Sequence, residues 1–121
     1  MKILIIGIVA SGKTTLAKTL SRESGICHYE IDSIVHDDLN NRKRSIDEQL
    51  EIINHINKNK DWIIEGTLRK NLDVLLEFAD KIIFIDNNSD TITLNFSLLS
   101  RTLLLSLIAY VVIPSVAINE K

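Results

Sequence analysis

The chain holds one cysteine, one proline and four glycines among 121 residues. A single Cys27 excludes an internal disulfide framework. So little Pro and Gly excludes collagen-like and low-complexity classes, and no internal repeat is present at any period. Neither sign of charge is in excess: 14 Lys+Arg face 16 Asp+Glu for a net charge of −2, which leaves no electrostatic footprint for a nucleic-acid binder. The short apolar stretch after Met1-Lys2 is too brief for a signal-peptide core, so the expected location is cytoplasmic. What remains is 45% hydrophobic residues over a length that suits one domain, residues 1–121, with a real core.

Charge is unevenly spread along the chain. Residues 1–90 carry 27 charged side chains, whereas 91–119 carry one, Arg101. Residues 91–121 therefore form an atypical apolar tail, a candidate surface for self-association. Within it, Thr102 to Ile118 is a run of 17 uncharged residues interrupted by Pro114. That is the low edge of a bilayer span and no basic cluster follows, so the run reads as a buried core segment instead of a membrane helix.

Before residue 90, strand and helix patterns alternate. Lys2 to Ile6 is a β-branched apolar run ended by Gly7, the pattern of a strand buried on both faces of a parallel sheet. Thr14 to Arg22 places Leu16, Ala17 and Leu20 on one helical face, and Ser24-Gly25 stops it. His28 to Ile31 is a second strand with Asp32 just beyond it. Ser45 and Glu48 make a capping box for a helix whose Ile46, Leu50, Ile53 and Ile56 recur near 3.6 residues. Trp62-Ile63-Ile64, closed by Glu65-Gly66, is a third strand. Leu72, Leu75, Leu76 and Ala79 mark a third helix, and Lys81 to Asp86 a fourth strand. This alternation predicts an α/β fold with a parallel sheet and right-handed crossovers.

The specific chemical signal sits at the first strand-to-helix turn. Gly7-Ile8-Val9-Ala10-Ser11-Gly12-Lys13-Thr14 fits G-x-x-x-x-G-K-[ST], with a buried strand before it and a helix after it. Gly7 and Gly12 let the loop curl so that successive backbone N–H groups face an anion. The helix behind adds its positive end, Lys13 spans the β and γ phosphates, and the Thr14 hydroxyl ligates Mg²⁺. The expected phosphate-binding set is Gly7, Ala10, Ser11, Gly12, Lys13, Thr14 and Thr15. Guanine-specific signatures are missing: Glu65-Gly66 and Asn87-Asn88-Ser89-Asp90 match neither D-x-x-G nor N-K-x-D.

Four stretches together resemble the adenylate-kinase-like family of P-loop kinases, and within it the small bacterial group called DNA topology modulation proteins. They are the P-loop, His28 to Asp32, Trp62 to Arg69, and Ala79 to Asp86. Glu65-Gly66-Thr67-Leu68-Arg69 resembles the family's acceptor-contacting D-G-x-x-R, with a carboxylate one methylene longer. The resemblance covers about the first ninety residues. It implies a three-layer P-loop NTPase fold with strand order 2-3-1-4 and a fifth strand beyond. It also implies ATP with Mg²⁺ at the P-loop, and a small-molecule or nucleotide acceptor between the second and third strand ends. The implied catalytic residues are Lys13, Asp32, Glu65 and Arg69, and the implied metal ligands Thr14 and Asp32. The family continues into an arginine-rich lid helix and a fifth strand whose following loop holds adenine; here only Arg101 and a fifth-strand candidate, Tyr110 to Ile113, follow. A lost arginine can cost roughly 10³ to 10⁵ in phosphoryl-transfer rate. A nucleotide-binding module or slow ATPase acting through a partner is therefore the second reading.

The other polar residues have plainer expectations. Arg69 either binds a phosphate or pairs with Asp73 at i,i+4. Arg42-Lys43-Arg44 reads as a solvated loop, and Asp37-Asp38 as a cap or loop pair. Cys27 reads as a packed small hydrophobe, Trp62 as core, and His28, His36 and His55 lack metal-ligand spacing.

Overall fold

The computed structural model describes residues 1–7, 13–85 and, for the backbone, 91–95. The central sheet is built from β1 (Lys2–Gly7), β2 (His28–Glu30), β5 (Trp62–Gly66), β6 (Lys81–Ile85) and β7 (Thr91–Asn95). A separate two-stranded hairpin is formed by β3 (His36–Asp37) and β4 (Arg42–Lys43). The helices are α1 (Lys13–Ser24), α2 (Ile31–Val35), α3 (Ile46–Asn57) and α4 (Val74–Phe78), with a 3-10 turn at Lys70–Leu72.

Spatial order in the large sheet is β2-β5-β1-β6-β7. Strands β2, β5, β1 and β6 run parallel, and β7 pairs antiparallel with β6. The architecture is thus a mostly parallel sheet with helices, an α/β fold. It differs from the expected 2-3-1-4 in two respects: the small hairpin takes the third and fourth places along the chain, and the edge beyond β6 is antiparallel. Residues 91–95, expected in the tail, instead join the sheet, as their alternating Thr-Ile-Thr-Leu pattern suits. The Tyr110 to Ile113 strand, Arg101 and the remainder of the tail lie outside the described residues, as do Asp86 and residues 8–12.

Alternation along the strands divides the core. Leu4, Ile6, Trp62, Ile64, Ile82 and Phe84 face α2, α3 and α4, while Ile5, Ile63, Ile83 and Ile85 face α1 through Ala17 and the half-buried Leu16 and Leu20. Helices therefore cover both faces, which is why the central positions of β1, β5 and β6 are apolar in unbroken runs. The α1 helix ends where expected: Gly25 takes φ 76° and its N–H donates to the Ser21 carbonyl at 2.8 Å. The α3 capping box is complete, the Glu48 N–H donating to Ser45 Oγ at 3.2 Å and the Ser45 N–H to Glu48 Oε1 at 2.9 Å.

Four local expectations are corrected. Ile31 belongs to α2, not to a strand, because it packs under Gly66 of β5. The inward face of α3 is Gln49, Ile53 and Ile56, and Ile46 lies exposed at its first turn. Cys27 is exposed in the connection into β2. Arg42 to Arg44 is not a solvated loop. Arg42 makes a two-pronged bond to Glu48 at 2.9 and 2.8 Å, while Arg44 Nη1 donates to the carbonyls of Ser33, Ile34 and His36. Trp62 is fully buried, its indole N–H donating to Asn57 Oδ1 at 3.0 Å. No helix among the described residues is long and apolar enough to cross a membrane.

Candidate functional site

The carboxyl ends of the parallel strands meet at one edge of the sheet. Pairing sets Glu30 beside Glu65, Ile6 beside Gly66, and Gly7 beside Ile85. The chain leaves β1 toward β2 on one side and returns to β6 on the other, so β1 ends where the winding reverses. In open α/β sheets that crevice is the preferred ligand position.

Four ionisable side chains from different elements come together at this edge. Lys13 is the first residue of α1 and only 8% exposed. Glu65 stands one residue before the end of β5, is 4% exposed, and by strand alternation shares the α1 side of the sheet with Ile63. Asp32 is the second residue of α2, and Arg69 follows β5 as the cap of the 3-10 turn. Arg69 Nη2 donates to Asp32 Oδ1 at 3.1 Å, which replaces the expected i,i+4 pair with Asp73. Burial pushes the Lys13 ammonium below its ordinary pKa, and the nearby carboxylates of Glu65 and then Asp32 oppose that by raising it.

Gly66 makes the gathering possible. Its φ is 149°, and a Cβ placed on it would lie 2.8 Å from the Ile31 Cβ. The close approach of β5 to α2 therefore requires glycine, and it is this approach that brings Asp32 toward the end of the strand carrying Glu65. On the far side, α2 is a single turn held by Arg44. The guanidinium covers its C-terminal carbonyls at 2.6, 3.2 and 3.0 Å, and the Arg44 carbonyl in turn accepts from the buried Gln49 amide at 2.8 Å. Neither Arg44 nor Gln49 was singled out by motif; a capping arginine eleven residues beyond its partner leaves no spacing signal.

Among the described residues, two buried polar atoms at the strand ends have no hydrogen-bond partner: Glu65 Oε2 and Arg69 Nη1. An unpaired buried polar group costs about 1–3 kcal/mol, more for a charged one, so each of these atoms calls for a further partner, a water or a ligand. The donor set suits the groups implied by the sequence. A lysine at a helix N-terminus favours phosphate, and the oxygens of Thr14 and Asp32 are the hard ligands that Mg²⁺ takes. Of the remaining expected phosphate ligands, Gly7 ends β1, Thr14 and Thr15 lie in the first turn of α1, and Ala10, Ser11 and Gly12 lie outside the described residues. Asp37, by contrast, is a turn residue: it accepts from the Asn40 backbone and side-chain N–H groups, and these bonds hold its carboxyl below the usual range. No group of three or more His, Cys, Asp or Glu among the described residues is placed to hold a metal ion by itself. No protein-family model matches the chain, and no curated protein is similar to it.

Proposed function

We propose that the chain is a P-loop phosphotransferase that binds ATP with Mg²⁺ and transfers the γ-phosphoryl group to a small acceptor. One observation carries this reading: a G-x-x-x-x-G-K-T string joins a buried parallel strand to a helix, and Lys13, Asp32, Glu65 and Arg69 converge beside it at the carboxyl ends of the strands. In this reading the sheet, helical on both faces, is a three-layer P-loop NTPase fold with an antiparallel edge. Lys13 and the α1 N-terminus hold phosphate oxygens, Thr14 and Asp32 serve Mg²⁺, and Glu65 and Arg69 face the acceptor. Phosphoryl transfer asks little covalent chemistry of a protein; it asks for positioned charge, and these four groups supply two of each sign.

Calorimetry with MgATP tests the reading. The wild-type chain binds, and Lys13→Ala loses at least tenfold in affinity because it removes the ammonium beside the phosphates. Equal affinity in the two proteins removes the site assignment, and no binding to either removes the function.

A further inference from the structure

The two unpartnered atoms specify the acceptor more closely than the fold does. An ionised carboxylate only accepts hydrogen bonds and a guanidinium only donates them. Whatever completes Glu65 Oε2 must therefore bring a hydrogen or a cation, and with Mg²⁺ assigned to Thr14 and Asp32 a hydrogen is what is left; whatever completes Arg69 Nη1 must bring an oxygen. The other terminal nitrogen of Arg69, Nη2, already donates to Asp32 Oδ1. Among the described residues at the strand ends, the two cations, Lys13 and Arg69, face three carboxylates, Asp32, Glu65 and the exposed Glu30 that pairs beside Glu65. A phosphate dianion arriving as acceptor would bring no hydrogen for Glu65 and would set further negative charge beside it. A hydroxyl has the opposite character. It donates to Glu65 while its oxygen stays free to react, and a neighbouring hydroxyl or carboxylate on the same molecule supplies the oxygen for Arg69.

We infer that the acceptor is a small hydroxylated molecule, which gives a hydroxyl hydrogen to Glu65 and presents a second oxygen to Arg69, and that the group phosphorylated is this hydroxyl and not the phosphate of a nucleoside monophosphate. This deepens the phosphotransferase reading and rests on it. In the step that follows, the acceptor oxygen forms a bond to the γ-phosphorus and the bond from that phosphorus to the β–γ bridging oxygen breaks, keeping its electron pair on departing ADP. Glu65 takes the hydroxyl proton. Its place at the strand end beside Lys13, with Oε2 unpartnered among the described residues, suits it to that task.

The test uses the full chain with MgATP, after calorimetry has shown that MgATP binds. Glycerol and D-glycerate are the hydroxylated probes, and AMP, CMP, GMP and UMP the competing ones, with ADP formation and the phosphorus NMR spectrum as readouts. The expected result is at least a tenfold rise in ADP formation and a new phosphomonoester with a hydroxylated probe, and no nucleoside diphosphate from any monophosphate. Glu65→Gln, nearly the same shape, should lower kcat for that probe about a hundredfold or more. Arg69→Lys should chiefly raise its KM. The denaturation midpoint of each variant establishes that it is folded. Nucleoside diphosphate formation, an unchanged kcat in folded Glu65→Gln, or no phosphomonoester from either hydroxylated probe overturns the inference while MgATP binding leaves the broader reading standing. Absence of MgATP binding strikes the broader reading itself.

Discussion

Two polar clusters flank α2, and they differ in one respect. At the α3 N-terminus, Ser45, Glu48, Arg42, Arg44 and Gln49 satisfy one another and the neighbouring carbonyls. At the strand ends, Glu65 and Arg69 each leave a buried atom without a partner among the described residues. A polar network that closes on itself fixes structure; one left open toward a crevice stores bonding capacity for something that arrives. The closed cluster holds α2 from its C-terminal end, and α2 carries Asp32 into the open one.

Substitutions at the two clusters should therefore differ in size. The largest effect is expected where the clusters are joined, at Gly66. Gly66→Ala forces a Cβ against Ile31 and places a side chain at φ 149°, so stability should fall by about 3 kcal/mol, combining overpacking and backbone strain, as read from the denaturant midpoint. Next comes the contrast itself. Arg44→Ala uncovers the α2 carbonyls and should cost about 1.5–3 kcal/mol, whereas Glu65→Gln keeps the shape of a side chain whose Oε2 has no hydrogen-bond partner among the described residues and should cost clearly less. Equal losses at the two positions would erase the distinction.

The smallest effect is a pH dependence confined to the closed cluster. The Arg42 side chain and then the Ser45 N–H hold the Glu48 carboxyl down, to about 2. A folded pKa below the unfolded one stabilises the protein fully above the unfolded value, near 4.5, and that stabilisation is lost as pH falls through about 2. The stability difference between wild type and Glu48→Gln should be constant above that range, shrink on acidification, and vanish at the acid end. A difference independent of pH would mean that the Arg42–Glu48 bond contributes nothing through its charge.

The two clusters also differed in how far the sequence revealed them. The capping box was legible because its partners lie three residues apart, and β1, β5 and β6 were legible because burial on both faces leaves an unbroken apolar run. Lys13, Thr14, Glu65 and Arg69 were found through the motifs around them. Their place together at the strand ends was implied by the resemblance, whereas the Asp32–Arg69 bond was not legible: its partners are separated by 37 positions and meet where β5 closes on α2 at Gly66. The β3–β4 hairpin escaped because two-residue strands carry no period; its turn is held by Asp37 bonding Asn40 and by Asn41 at φ 50°. Arg42 and Arg44 look like solvent charge in a linear string, and only the fold shows that they reach back to α2 and forward to α3. The antiparallel β7 was hidden for another reason, since a single alternating stretch does not say which edge it joins or in which direction.

The central claim is that the open cluster is a nucleotide site and the closed one is scaffold. Chemical denaturation of wild type, Lys13→Ala and Arg44→Ala, with and without MgATP at about a hundredfold excess over the wild-type Kd, tests it most directly. Mass action predicts a gain of about 2.7 kcal/mol for the wild type at that concentration. Arg44→Ala should start less stable yet gain by a comparable amount, and Lys13→Ala should lose most of the gain. An equal gain in Lys13→Ala, or no gain in the wild type at any MgATP concentration, would contradict the account.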